Sequence, residues 1–223
     1  MSPTWDWGFA WSILPQLADG LWITVKATLA GISVALALGL VLAMARRSRN
    51  FLISYPTAAL IEFVRSTPLL VQLYFLFFVL PNFGITLSAF QTGVIGLGLH
   101  YGAYTSEVYR SGIEGVPRGQ WEASSALSLG PRTTWVNVVL PQVWPRVLPA
   151  LGNYLIAMFK DAPLLSAITV VELLQQGKIV CNELFRCLEP FTLVGVLFLA
   201  VSVPASILVH RLEERLGRSH IFA

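Results

Sequence analysis

Residues 117–141 read PRGQWEASSALSLGPRTTWVNVVLP, a run of small and polar residues between two long apolar stretches. Pro117 suits the first turn of a helix, where a missing N–H costs nothing. Residues 119–129 are good helix material, and Gly130-Pro131 forms a stop signal. Trp121, Ser125 and Leu129 share one face, with Glu122 and Ala126 beside it. The spacing predicts a short, mildly amphipathic helix whose small residues let a partner backbone come close. It lies within a segment, 110–146, that is too long for a plain connector, and long ordered loops are usually functional.

Working outward, the chain holds five apolar runs, at about 20–45, 58–81, 88–109, 147–171 and 190–209. Each is long enough for about 30 Å of hydrocarbon, and lipid leaves helix as the only way to satisfy such a backbone. The composition agrees: of 223 residues 55% are apolar and 12% charged, with mean hydropathy +0.67, where a soluble domain carries about 25% charge. Disorder and an ordinary soluble domain are excluded. The fold class expected is an all-α membrane protein of five transmembrane helices, with the lipid bilayer as its first partner.

Loop charge sets the orientation. Arg46, Arg47 and Arg49, then Arg110, Arg118, Arg132 and Arg146, then Arg211, Arg215 and Arg218 fall on one side; Lys178 and Arg186 fall on the other. Ten against two predicts a cytoplasmic C-terminus, an outside N-terminus and an odd span number. The net charge of +3 is therefore a topology signal, with no nucleic-acid footprint. Residues 1–19 lack Lys and Arg, so the basic region of a removable signal peptide is missing, while Trp5, Trp7 and Trp11 suit a membrane interface. The organisation expected is an extracytoplasmic segment 1–19, one transmembrane domain 20–212 and a cytoplasmic tail 213–223, in the cell (inner) membrane as a multi-pass protein. Cys181 and Cys187 share an outside loop, where they are either disulfide-bonded or two free thiols. No metal-ligand pattern is present.

Polar residues inside the runs need reasons, since a charge at the bilayer centre costs at least about 2.5–3.5 kcal/mol. Glu62 and Arg65 are three apart and favour a structural ion pair near the cytoplasmic end. His100, Tyr104 and Glu107 form one stripe, which either lines a pathway or bonds to neighbouring helices. Lys160 and Asp161, with Pro163 two residues on, mark either a broken helix lining a solute cavity or a salt-bridged kink.

The stretch Glu122-Ala123-Ser124, Ser128, Val138-Val139-Leu140-Pro141 resembles the coupling-loop motif of ATP-binding-cassette importer permeases, Glu-Ala-Ala, three residues, Gly, nine residues, Ile-x-Leu-Pro. Ser128 stands where the motif has glycine. A left-handed turn there would cost a serine conformational freedom, unless the turn has moved to Gly130. EFVRSTPLLVQLYFLFFVLP (62–81), GAYTSEVYRSGIEGVPRGQWEA (102–123) and LPALGNYLIAMFKDAPLLSAITVVEL (148–173) resemble the polar amino-acid branch of that family (the histidine, glutamine, arginine and opine permeases). The last stretch, with LEPFTLVG at 188–195, looks closest to ectoine/hydroxyectoine permeases.

The resemblance implies a type I importer fold. It also implies a second permease subunit, identical or paralogous, two ATPase subunits and an extracytoplasmic solute-binding protein. Arg118, Glu122, Ala123, Ser124, Ser128 and Gly130 would serve ATPase coupling. This chain carries no G-x-x-x-x-G-K-[ST] loop, so ATP and Mg belong to the partner ATPase, and the chain itself is expected to have no cofactor and no enzymatic activity. The candidates for the substrate pathway are Gln72, His100, Tyr104, Asn153 and Tyr154. Many related permeases carry Glu at the position of Tyr154; here a tyrosine offers an aromatic face, suited to a delocalised cation such as ectoine, or else simply packs. Gln72 and Asn153 offer hydrogen bonds to a carboxylate. The competing classes fare worse. Gly31-Ile32-Ser33 continues with Val34, so the rhomboid serine pattern fails; His100 is followed by Tyr101, so H-E-x-x-H is absent. A passive channel needs no ATPase-docking helix.

Overall fold

A computed structural model describes residues 5–218, all helix and connections with no strand among the described residues. The first four residues and 219–223, which include His220 and the end of the expected tail, lie outside the described residues, as does the side chain of Arg218.

Helix α1 spans Trp7–Arg46, 40 residues. It begins well before the Gly20 expected from hydropathy because Asp6 caps it, accepting the Phe9 N–H at 3.1 Å. Helix α2, Phe51–Ser66, and α3, Leu69–Tyr74, replace the single run expected at 58–81. With its continuation to Phe83, α3 meets α2 at 104°. Pro68 is the cause. It offers no N–H and drives Thr67 into extended geometry (φ −107°, ψ 138°). Helix α4 is Ala89–Glu114, opened by a Ser88/Gln91 capping box. Helix α5, Arg118–Ala126, is the short helix; α6, Pro131–Thr133, runs through a π-turn into α7, Leu140–Asp161. Half of the expected 110–146 loop is thus the end of α4 and the start of the α6–α7 rod.

A 3₁₀ turn, Ala162–Ile168, and Thr169 at φ +64° end that rod. The expected outside loop 172–189 is largely α8, Leu173–Leu184, 48° off the rod. Glu172, fully buried, starts it by accepting Leu174 N–H at 2.9 Å and Gln175 N–H at 2.8 Å. Helix α9 is Leu188–Arg218. A disulfide joins Cys181 to Cys187 across the α8–α9 turn. Beside it Arg186 pairs with Asp6 (3.3 Å) and Glu189 (2.7 Å) and lies 4.4 Å above the Phe9 ring, fastening the start of α1 to the start of α9.

Helix α1 packs along α4, and small residues allow it. A Cβ on Gly98 would lie 2.4 Å from a Val34 methyl, so only glycine fits there. Thr105 seals the seam by donating to Ala35 O at 2.9 Å. By length and apolarity α1 and Leu188–Leu216 of α9 each suffice to cross a membrane; the two bent pairs, α2 with Leu69–Phe83 and Pro131–Ile168 with α8, bring the number to four if each is one span. Helix α4, 26 residues, is long enough too, but its glycines and polar residues face protein and lower its apolarity.

Candidate functional site

Two constellations stand out, one at each end of the sequence argument. The first is α5. Trp121 stacks edge-on against Trp135 of the π-turn at 5.4 Å, and both pack against the cluster that includes Ile113, Val116, Val139 and Val143. Ser124 is buried and donates to Gln120 O at 2.8 Å. One face of α5 is thereby fastened to the bundle. On the other face Arg118, Glu122, Ala123 and Ala126 are exposed, and Leu127 is 72% exposed. Neither Arg118 nor Glu122 has an ion-pair partner among the described residues. The helix thus has one anchored face and one face of small residues and unpaired charges.

The two alternatives for its C-terminal turn are resolved. Ser128 itself takes the left-handed conformation, φ +53°, while Gly130 sits at φ −61° and caps α6. The Leu129 N–H reaches back to Ser124 O at 3.0 Å, so the serine occupies the left-handed position of a Schellman turn. Gly130-Pro131 starts the next helix and is not what stops α5.

The second constellation lies where α2, α3, α4 and α7 meet. His100, Tyr101 and Tyr104 of α4 cluster with Tyr154 of α7: Tyr154 lies 5.7 Å from Tyr104 and 6.1 Å from Tyr101, ring to ring. Arg65 stands 5.3 Å over the Tyr104 ring. Tyr101 donates to Asp161 at 2.7 Å. His100 Nδ1 meets Gln72 Oε1 at 3.2 Å. The group combines three phenol rings, a guanidinium and a carboxylate within one contact network.

Individual expectations fare differently. Glu62 and Arg65 do pair, at 3.7 Å. Lys160 and Asp161 do not pair among the described residues: Lys160 is exposed and Asp161 turns to Tyr101. Adjacent residues on a helix point about 100° apart, so only one of the two follows the inner face. Gln72 is committed to the fold rather than free for a solute. Its amide donates to Val64 O (2.8 Å) and to Thr67 O (3.1 Å), carbonyls at the end of α2 beside the Pro68 break. Asn153 is exposed and stands outside the cluster's contacts. Glu107 bonds to helix neighbours, pairing with Arg46 and, at 2.8 Å, with Arg110. Tyr101, which hydropathy files as core, is the residue that sequence reasoning missed; its place one residue after His100 in HYGAY was the available signal. No group of His, Cys, Asp and Glu that could hold a metal exists among the described residues.

The fold is a helical bundle of membrane-crossing length with a short, partly exposed helix (α5) and a polar cluster at its helix break. The chain belongs to the family of binding-protein-dependent transport system inner membrane components, whose model matches residues 35–218. It is 48% identical over 220 residues to a probable amino-acid ABC transporter permease protein, y4tG, of Sinorhizobium fredii, covering 96% of this chain and 95% of that one. It is 32% identical to the glutamine transport system permease protein GlnP of Escherichia coli, covering 95% and 97%. Among solved structures it matches the crystal structure of an amino acid ABC transporter with histidines, with TM-score 0.89 and 31% identity over 96% of this chain and 100% of that one. The resemblance drawn from the sequence motifs therefore holds at the level of the family. This is a multi-pass inner-membrane permease subunit of an ABC importer, with the type I permease fold.

Proposed function

We propose that this chain carries a small polar solute inward, a polar amino acid or an ectoine, by alternating access driven through α5. It crosses the membrane five times, as α1, the α2–α3 pair, α4, the α7 rod and α9, with the N-terminus outside. The observation that carries this is the outward face of α5. Arg118, Glu122 and Ala123 are exposed without partners, while Trp121 locks the opposite face onto Trp135. A groove on a separate ATPase takes that face, and closure of the ATPase pair moves α5 with the α7 rod. A second permease subunit and an extracytoplasmic binding protein complete the assembly, and ATP is hydrolysed on the partner.

The solute side rests on the tyrosine cluster. The Tyr104 and Tyr154 rings offer faces to a cationic or amidinium group, worth about 0.5–2 kcal/mol depending on desolvation, and Arg65 offers a guanidinium to a carboxylate. A zwitterion fits both. The test is ATPase activity of the reconstituted complex with its binding protein, titrated with ectoine, hydroxyectoine and a panel of polar amino acids. Stimulation by ectoines alone supports the narrower reading. Stimulation by arginine, histidine or glutamine keeps the importer and removes the ectoine assignment. Failure of any ATPase to assemble on the chain overturns the coupling role of α5.

A further inference from the structure

The end of α1, the start of α2 and the end of α4 enclose an open polar groove of about 580 Å³, lined by Arg46, Arg47, Ser54, Tyr55, Arg110 and Glu114. Ser54 closes its floor by donating to Arg46 O at 2.7 Å. Arg46 and Arg110 hold Glu107 and Glu114 in ion pairs. The Arg47 guanidinium has no carboxylate partner among the described residues, and Arg49 beside it has none either. Three guanidiniums thus face two carboxylates, leaving one positive charge unmatched in the groove. Phe51 and Leu52, 66% and 68% exposed, make the first turn of α2 apolar just before Ser54 and Tyr55, and Tyr55 is 75% exposed with its hydroxyl free to donate.

We propose that this groove binds the phosphate headgroup of an anionic phospholipid, with Arg47 and Tyr55 as donors and the acyl chains running along the Phe51–Leu52 turn. Cation excess, a hydroxyl donor and an adjoining apolar surface at a membrane boundary are the chemistry of a lipid headgroup: a guanidinium forks onto phosphate oxygens while the apolar turn takes the chain. A soluble anion would use the cation and ignore the apolar turn. The site rests on the membrane location of the chain, not on the solute or coupling roles proposed above.

The test uses the assembled permease–ATPase complex in neutral detergent micelles doped with phosphatidylglycerol or phosphatidylcholine, with bound lipid counted by native mass spectrometry. Phosphatidylglycerol should bind at least about ten-fold tighter than phosphatidylcholine. Arg47→Gln with Tyr55→Phe should remove most of that preference, while Arg132→Gln, the same charge loss elsewhere, should leave it intact. Both altered side chains are exposed, and a melting curve for each variant confirms folding. Inorganic phosphate and glycerol phosphate are the soluble arms: displacement of phosphatidylglycerol by either at equal concentration overturns the lipid assignment in favour of a free phosphate. Equal loss in the Arg132 variant overturns it as generic charge attraction. Unchanged lipid binding with loss of ATPase assembly in the double variant overturns it as a protein interface.

Discussion

Replacing Ser128 by glycine tests the strain at the end of α5. Ser128 has φ +53°, a region that costs an L-residue roughly 1–2 kcal/mol. Glycine removes that cost but loses about 0.5–1 kcal/mol more conformational freedom on ordering. The difference favours Ser128→Gly by about 0.5–1 kcal/mol, or roughly two- to five-fold in the equilibrium between the closed and frayed turn. The assay is amide hydrogen exchange across Leu127–Leu129 in the assembled complex, because the Leu129 N–H to Ser124 O bond at 3.0 Å exists only when the turn is closed. Protection should rise by that factor. Ser128→Val, β-branched in a left-handed position, should lower it. Gly130→Ala is the internal control: at φ −61°, with no atom within 4 Å of the added carbon, it should be tolerated. If Ser128→Gly leaves protection unchanged while Gly130→Ala reduces it, the left-handed turn has been assigned to the wrong residue.

Tyr101→Phe removes the donor to Asp161 at a ring only 4% exposed. Hydrogen bonds to a charged group are worth about 1.5–3 kcal/mol, so thermal unfolding of the purified complex should drop by several degrees, and Asp161→Asn should be milder. Gln72→Ala strips one side-chain donor from Val64 O, leaving the Thr67 hydroxyl, and the Gln72 amide from Thr67 O; exchange at Phe63–Leu69 should speed up by about ten-fold, with α1 and α4 unaffected. Asp6 is held below the ordinary aspartate range by the Phe9 N–H and then by Arg186. A depressed carboxylate stabilises the fold above its ordinary value near about 3.9 and loses that contribution as pH falls through the lowered value. Protection of the Phe9 amide should therefore stay constant from about pH 7 to about pH 5 and fall below about pH 4; a flat profile to the acid limit refutes the cap.

Much of the fold was legible because membranes impose a strong rule on sequence. A run such as FTLVGVLFLAVSVPASILV (191–209) has one stable form in lipid, and α9 follows it. The short helix α5 was legible for another reason: Pro117, the helix-forming run 119–129 and its small residues mark it locally. The α2–α3 break at Pro68 was not read from the sequence, where hydropathy shows one run at 58–81. Hydropathy averages over some 20 residues, so the single Pro68 just before LLVQLYFLFFVL is invisible to it.

The partners of polar side chains were a different matter. That Asp161 bonds Tyr101 instead of pairing with Lys160, that Gln72 braces a broken helix instead of meeting solute, and that Ser128 instead of Gly130 bears the left-handed turn all depend on residues distant in sequence or on a single backbone angle. Composition and hydropathy determined that this chain is a helical membrane protein with a short helix at 118–126, since burial of apolar surface and satisfaction of the backbone follow from local pattern. Only the tertiary structure decided which donor meets which acceptor, because a hydrogen bond acts over about 3 Å and its partner is chosen by how whole helices pack.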